Sequence, residues 1–207
     1  MSRITREWVY TDGGFRQKLT FVRFEASQRL EHIVTLSATA ILALTGLPQK
    51  FHEAEISRWL ISAMGGIEFA RTIHHFFAII LAVGAIYHVL AVLYGIIGKG
   101  ARLSMVPTLK DVTDAITMLK YFFGLSKEKP HFDRFTYGEK MEYWALVWGT
   151  AVMGLTGFIM WFPTRATQFI DGVWVPVAKM AHGWEAVLAV LSLLVWHVYH
   201  VHIQSFN

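Results

Sequence analysis

Residues 73–97 read IHHFFAIILAVGAIYHVLAVLYGII, twenty-five positions without a single Asp, Glu, Lys or Arg. A helix rises about 1.5 Å per residue, and about 20 apolar residues cross the roughly 30 Å hydrocarbon layer of a bilayer. The stretch therefore predicts a transmembrane helix. Working outward, three more apolar windows appear, at about 32–51, 141–162 and 180–201. Gly, Ser and Thr punctuate all four, as in membrane helices that pack closely. Trp59, Tyr94, Tyr143, Trp144, Trp161, Trp174 and Trp184 gather near the predicted boundaries, where amphipathic rings settle at the headgroups. Together these windows predict an all-α fold, an integral membrane four-helix bundle that takes up residues 1–207 as a single domain.

Composition agrees. The chain has 207 residues, of which 54% are hydrophobic and 16% charged, against about 25% charged in ordinary soluble domains. This excludes a disordered chain and argues against a soluble enzyme. There is no cysteine. Disulfides, iron–sulfur clusters, thiolate-ligated or covalently attached haem and a cysteine nucleophile are thereby excluded within this chain. Ten histidines are left to carry most of the available metal chemistry.

Orientation follows from the basic residues. Fourteen of the nineteen Lys and Arg lie before the first span or between the second and third. Five lie in the other two connections, at Lys50, Arg58, Arg71, Arg165 and Lys179. The positive-inside rule then predicts that both termini are cytoplasmic and that the protein is a multi-pass protein of the cell's inner membrane. The net charge of +4 is read as topology, and no basic stripe with interleaved aromatics points to nucleic acid. Residues 1–31 are charged and polar throughout, which is not the pattern of a signal peptide. Two connections carry short amphipathic patterns. Ile56, Trp59, Leu60 and Ala63 predict a surface helix ending at Gly65-Gly66. Val112, Ala115, Ile116, Leu119 and Phe122 predict another, between Pro107-Thr108 and Gly124. Such helices lie along headgroups or offer a docking face to another subunit.

Histidines within spans are costly and usually functional. His74 and His88 stand 14 residues apart on the second span, and His182 and His197 stand 15 apart on the fourth. These spacings separate each pair by about 21–22 Å and bring its members to within about 40° and 60° of one face. The two spans run parallel, so His74 can face His182 near the outer surface and His88 can face His197 near the inner one. That arrangement suits two stacked bis-histidine haems, one per leaflet. His32, at the inner end of the first span, lies at a depth similar to His88, so either could face His197. Gly84, Gly149, Gly154 and Gly157 would relieve crowding beside a flat macrocycle. Arg29 and Arg71 each precede a histidine by one turn, where a guanidinium could pair with a propionate. His75 points about 100° away from His74 and reads as a non-ligand. His200, one turn beyond His197, is a candidate quinone or propionate contact; His52, His131 and His202 read as surface or interfacial residues.

The stretches Arg29-Leu-Glu-His32, Leu44-Thr-Gly46, Arg71-Thr-Ile-His74-His-Phe-Phe, Tyr137-Gly-Glu-Lys140-Met with Trp144, Thr156-Gly157, and His182 with His197-Val-Tyr199 carry a resemblance. They span about residues 24 to 202. The chain resembles the four-helix di-haem cytochrome b subunits of membrane-bound formate dehydrogenase (the gamma subunit). It is also similar to the b-type cytochromes of nickel–iron hydrogenases and thiosulfate reductases.

The resemblance implies two haem b groups, the outer held by His74 and His182 and the inner by His32 and His197. It also implies a quinone on the cytoplasmic side, against Thr136, Tyr137, Gly138, Glu139 and Lys140. The expected partners are membrane lipid and a catalytic, iron–sulfur or multihaem subunit on the outer face, in a hetero-oligomeric complex. Two departures stand out. His88 is not required by the formate dehydrogenase pattern, and its spacing is similar to cytochrome b of quinol–cytochrome c complexes, so His32 and His88 remain alternatives for the inner ligand. Thr136 replaces an Asn that contacts quinone in the family. No flavin, molybdopterin or dehydrogenase motif is present, so no catalytic residue is assigned beyond quinone reduction or quinol oxidation. Two readings of other classes compete: a histidine-rich bundle that binds or transports a metal ion, and a non-redox anchor.

Overall fold

The computed structural model describes residues 4–11, 14–21, 25–101, 103–199 and 203. Four long helices dominate: α1 (Ala26–Lys50), α3 (Ile67–Lys99), α5 (Tyr137–Trp161) and α7 (Trp174–Ser192), the last continued by a π-helical turn, Leu193–His197. All four are long and apolar enough to cross a membrane. Each begins four to six residues earlier than the hydropathy windows place it. α1 and α5 start at capping boxes, formed by Glu25 with Gln28 and by Thr136 with Glu139.

Around the bundle α1 packs on α3 and α7, and α5 packs on α7 and more lightly on α3. α3 and α7 therefore stand diagonally opposite. The buried positions are mainly small, including Ala38, Thr45, Ala70, Gly149, Thr156 and Ala178, so the helices approach closely through small residues. Large apolar side chains, among them Ile79, Val83, Leu90, Leu155 and Leu188, point outward. This inside-out distribution suits a bundle whose solvent is lipid.

The expected surface helices are present as α2 (Glu55–Ala63) and α4 (Leu109–Phe122). Gly65, Gly66 and Gly124 take positive φ angles of 89°, 100° and 70°, which stop the preceding helices where L-residues would be strained. α4 turns Asp111, Asp114, Ala115 and Met118 toward the protein and leaves Leu109, Val112, Ile116 and Leu119 exposed. Lys140, buried near the start of α5, fastens it by contacting both carboxylate oxygens of Asp111 at 2.8 Å.

Two elements were not anticipated. A one-turn helix, α6 (Pro163–Ala166), follows α5. Ahead of α1, β1 (Ile4–Thr11) and β2 (Gly14–Phe21) form an antiparallel hairpin, registered from Ile4 opposite Phe21 to Thr11 opposite Gly14. In the sequence Asp12-Gly13 stands between them, a dipeptide common between paired strands. The hairpin is an addition outside the all-helical bundle.

Candidate functional site

The helices bring the histidines together at the two ends of the bundle. At the end where α1 finishes, His74 of α3 and His182 of α7 reach across the diagonal with ring centroids 6.3 Å apart. At the opposite end, His32 of α1 and His197 of α7 stand with centroids 6.2 Å apart. A metal atom bridging two facing imidazoles needs two metal–nitrogen bonds of about 2 Å, plus about 1 Å from each nitrogen to its ring centre, or centroids about 6 Å apart. Both pairs satisfy that spacing.

The first pair is built by two copies of one device. Thr45 Oγ1 donates to the Ile41 carbonyl at 2.8 Å, and its oxygen lies 2.9 Å from His74 Nδ1. Thr156 Oγ1 donates to the Val152 carbonyl at 2.6 Å, and its oxygen lies 3.0 Å from His182 Nδ1. Each hydroxyl proton is spent on its own helix, so each threonine accepts from Nδ1–H. The imidazole is thereby held as the tautomer with a lone pair on Nε2, the atom a metal would take. The residue after each threonine is glycine. A Cβ on Gly46 would fall 2.9 Å from His74 Cε1, and one on Gly157 would fall 3.3 Å from His182 Cε1. These two glycines admit the rings themselves. Gly149 instead abuts Glu185, and Gly84 and Gly154 have no atom within 4 Å of where a Cβ would be.

The second pair has a different environment. His197 Nδ1 lies 3.5 Å from Glu142 Oε2, and Glu142 Oε1 is buried with no hydrogen-bond partner. His197 closes the π turn. The wider turn absorbs one extra residue, so a 15-residue spacing keeps His182 and His197 on nearly one face.

His88 does not face His197. Its Nδ1 lies 2.8 Å from Glu31 Oε2 and its Nε2 lies 3.1 Å from Tyr143 Oη, so both ring nitrogens meet protein groups. His75 stacks on Trp161 at 4.0 Å, away from its neighbour's pairing. Arg71 turns to Glu68 at 3.0 Å on the exposed start of α3, and Arg29 is exposed. Tyr137, Gly138, Glu139 and Lys140 form the first turn of α5. Tyr137 lies against Phe132, Gly138 approaches Trp196, Glu139 completes the helix cap, and Lys140 pairs with Asp111. His200 lies outside the described residues.

No protein-family model matches the chain. Comparison with individual proteins is informative. The chain is 24% identical over 190 residues to the formate dehydrogenase cytochrome b556(fdo) subunit of Escherichia coli K12, covering 89% of this chain and 80% of that one. It is 22% identical over 178 residues to the nitrate-inducible formate dehydrogenase cytochrome b556(Fdn) subunit of the same strain, covering 86% and 76%. The chain is a homologue of formate dehydrogenase cytochrome b subunits. The match covers most of the chain, which together with the four long apolar helices agrees with a multi-pass membrane cytochrome b. Sequence reasoning missed Thr45 and Thr156 as anchors, although the repeated tripeptide Leu44-Thr45-Gly46 and Leu155-Thr156-Gly157 carried the signal.

Proposed function

We propose that this chain is the membrane-embedded, haem-carrying subunit of a formate dehydrogenase-like respiratory complex. It would hold two b haems and pass electrons between a redox partner outside and quinone inside. The single observation that carries this reading is the pair of histidine couples with centroids 6.3 and 6.2 Å apart. His74 with His182, and His32 with His197, would hold the two irons. When bound, the haems supply one-electron transfer across the membrane.

The protein's part is to hold and orient. Thr45 and Thr156 keep the Nε2 lone pairs of His74 and His182 available, and Gly46 and Gly157 give those rings room. Glu142 stands beside His197 at the other end. The basic residues, concentrated before α1 and between α3 and α5, favour the His32–His197 end as cytoplasmic in an inner-membrane protein. On that side the first turn of α5 and Trp196 supply the surface against which a quinone would bind. Charge crossing from one couple to the other would work against the membrane potential, about 2.3 kcal/mol per charge per 100 mV.

A metal-transport reading has less support. Among the described residues no group of three or more His, Asp or Glu is disposed to hold an ion, and the histidines pair instead of clustering. The test is a reduced-minus-oxidised spectrum of the purified chain, with haem extracted and counted. Two b haems are expected, and His182→Ala should retain one. A chain without a Soret band, made with haem available, refutes the proposal, and retention of both haems in His182→Ala refutes the pairing.

A further inference from the structure

We infer that Lys50 clamps a propionate of the haem held by His74 and His182, a role the sequence pattern assigns to Arg71. The inference rests on the two-haem reading above and adds a residue to it. Lys50 is the last residue of α1 and lies four residues beyond Gly46, so it stands one turn further along the face that touches His74. Its side chain then crosses to α7. A Cβ on Gly183, the residue after His182, would fall 2.9 Å from Lys50 Nζ and 3.2 Å from its Cδ. The ammonium sits 3.9 Å from the centre of the Trp184 ring. Lys50 thus reaches from α1, whose Gly46 backs the His74 ring, to α7, which carries His182.

Its charge is otherwise unanswered. Lys50 is half-buried, and among the described residues no carboxylate stands within ion-pair distance of it. The face of Trp184 attracts a cation but does not neutralise it. A half-buried ammonium beside an apolar bundle calls for an anion. A b haem bound between His74 and His182 brings two carboxylates and no other anionic group. Arg71 is poorly placed for the task, because it is already paired with Glu68 on the exposed rim of α3.

The test is equilibrium redox titration of the intact, membrane-extracted protein with haem counted in each variant. A positive charge beside a haem favours the reduced, less positive iron. Lys50→Gln should therefore keep both haems and lower one midpoint potential, the one absent from His182→Ala. Lys50→Arg should restore it, and Arg71→Gln should leave both midpoints near the wild-type values. Unchanged midpoints in a two-haem Lys50→Gln protein overturn the clamp while leaving the cytochrome reading intact. A midpoint that responds to Arg71→Gln and not to Lys50→Gln overturns it in favour of Arg71. A wild-type chain without haem overturns both the clamp and the reading beneath it.

Discussion

Thr45 Oγ1 lies 2.9 Å from His74 Nδ1 while directing its own proton to the Ile41 carbonyl, and Thr156 repeats this toward His182. The imidazole tautomer is therefore a property of the protein, set before any metal arrives. Replacing Thr45 by Val keeps the shape and removes the hydroxyl acceptor beside His74 Nδ1. The expected results are weaker haem retention at that site, by about 10–100-fold, as loss of the outer hydrogen-bond partner of a ligating histidine usually gives, and a raised midpoint, because the ligand becomes a poorer donor to ferric iron. Thr45→Ser should restore both. Haem-loss kinetics and redox titration check this, and a Thr45→Val protein identical to wild type refutes it.

Gly46 and Gly157 should differ in tolerance. An alanine at 46 meets His74 Cε1 at 2.9 Å, closer than a Cβ contact allows, whereas one at 157 meets His182 Cε1 at 3.3 Å. Overpacking of this kind costs about 1–3 kcal/mol. Gly46→Ala is expected to lose the haem between His74 and His182 and to unfold at lower temperature, with Gly157→Ala milder in both. Haem counts and thermal melts in detergent decide the order.

His88 separates two assignments of the inner ligand. With Nδ1 toward Glu31 of α1 and Nε2 toward Tyr143 of α5, it is committed to polar groups of two other helices. His88→Ala should retain two haems and His32→Ala should retain one. The reverse result would move the inner ligand to α3.

Asp111 gives the attachment of α4 a pH dependence. Lys140 and then the Thr108 backbone N–H hold its carboxyl down at about 2 from the ordinary 3.8. A carboxyl whose pKa is lower in the folded state stabilises fully above its unfolded value. That contribution fades as pH falls from about 4 toward about 2. Asp111→Asn should therefore be less stable than wild type at pH 6, where it also strands the buried Lys140, and the gap should narrow toward pH 2–3. Thermal unfolding followed by circular dichroism at the two pH values tests the sign, and a gap that widens in acid contradicts it.

Much of the bundle was legible because hydropathy is a local quantity. The run 73–97 announces α3 whatever surrounds it, and Gly65-Gly66 and Gly124 mark where α2 and α4 stop. The hairpin Ile4–Thr11 with Gly14–Phe21 was not legible from hydropathy, because charged residues interrupt both strands and leave no apolar run. The anchoring threonines were passed over because a threonine in a span has an ordinary packing reading.

The sequence by itself determined the four spans, the position of each histidine along them and the end of the bundle at which the basic residues gather. All of these depend on distance along the chain. Which histidines meet depends on how each helix is rotated and on which helices are neighbours, and only the tertiary structure decided that. His32 and His88 lie at similar depth, yet α1 turns His32 toward His197 while α3 turns His88 between Glu31 and Tyr143. The π turn before His197 adjusts the same matter within one helix, since it absorbs one residue of a spacing that regular α-helical turns would leave about 60° off the His182 direction.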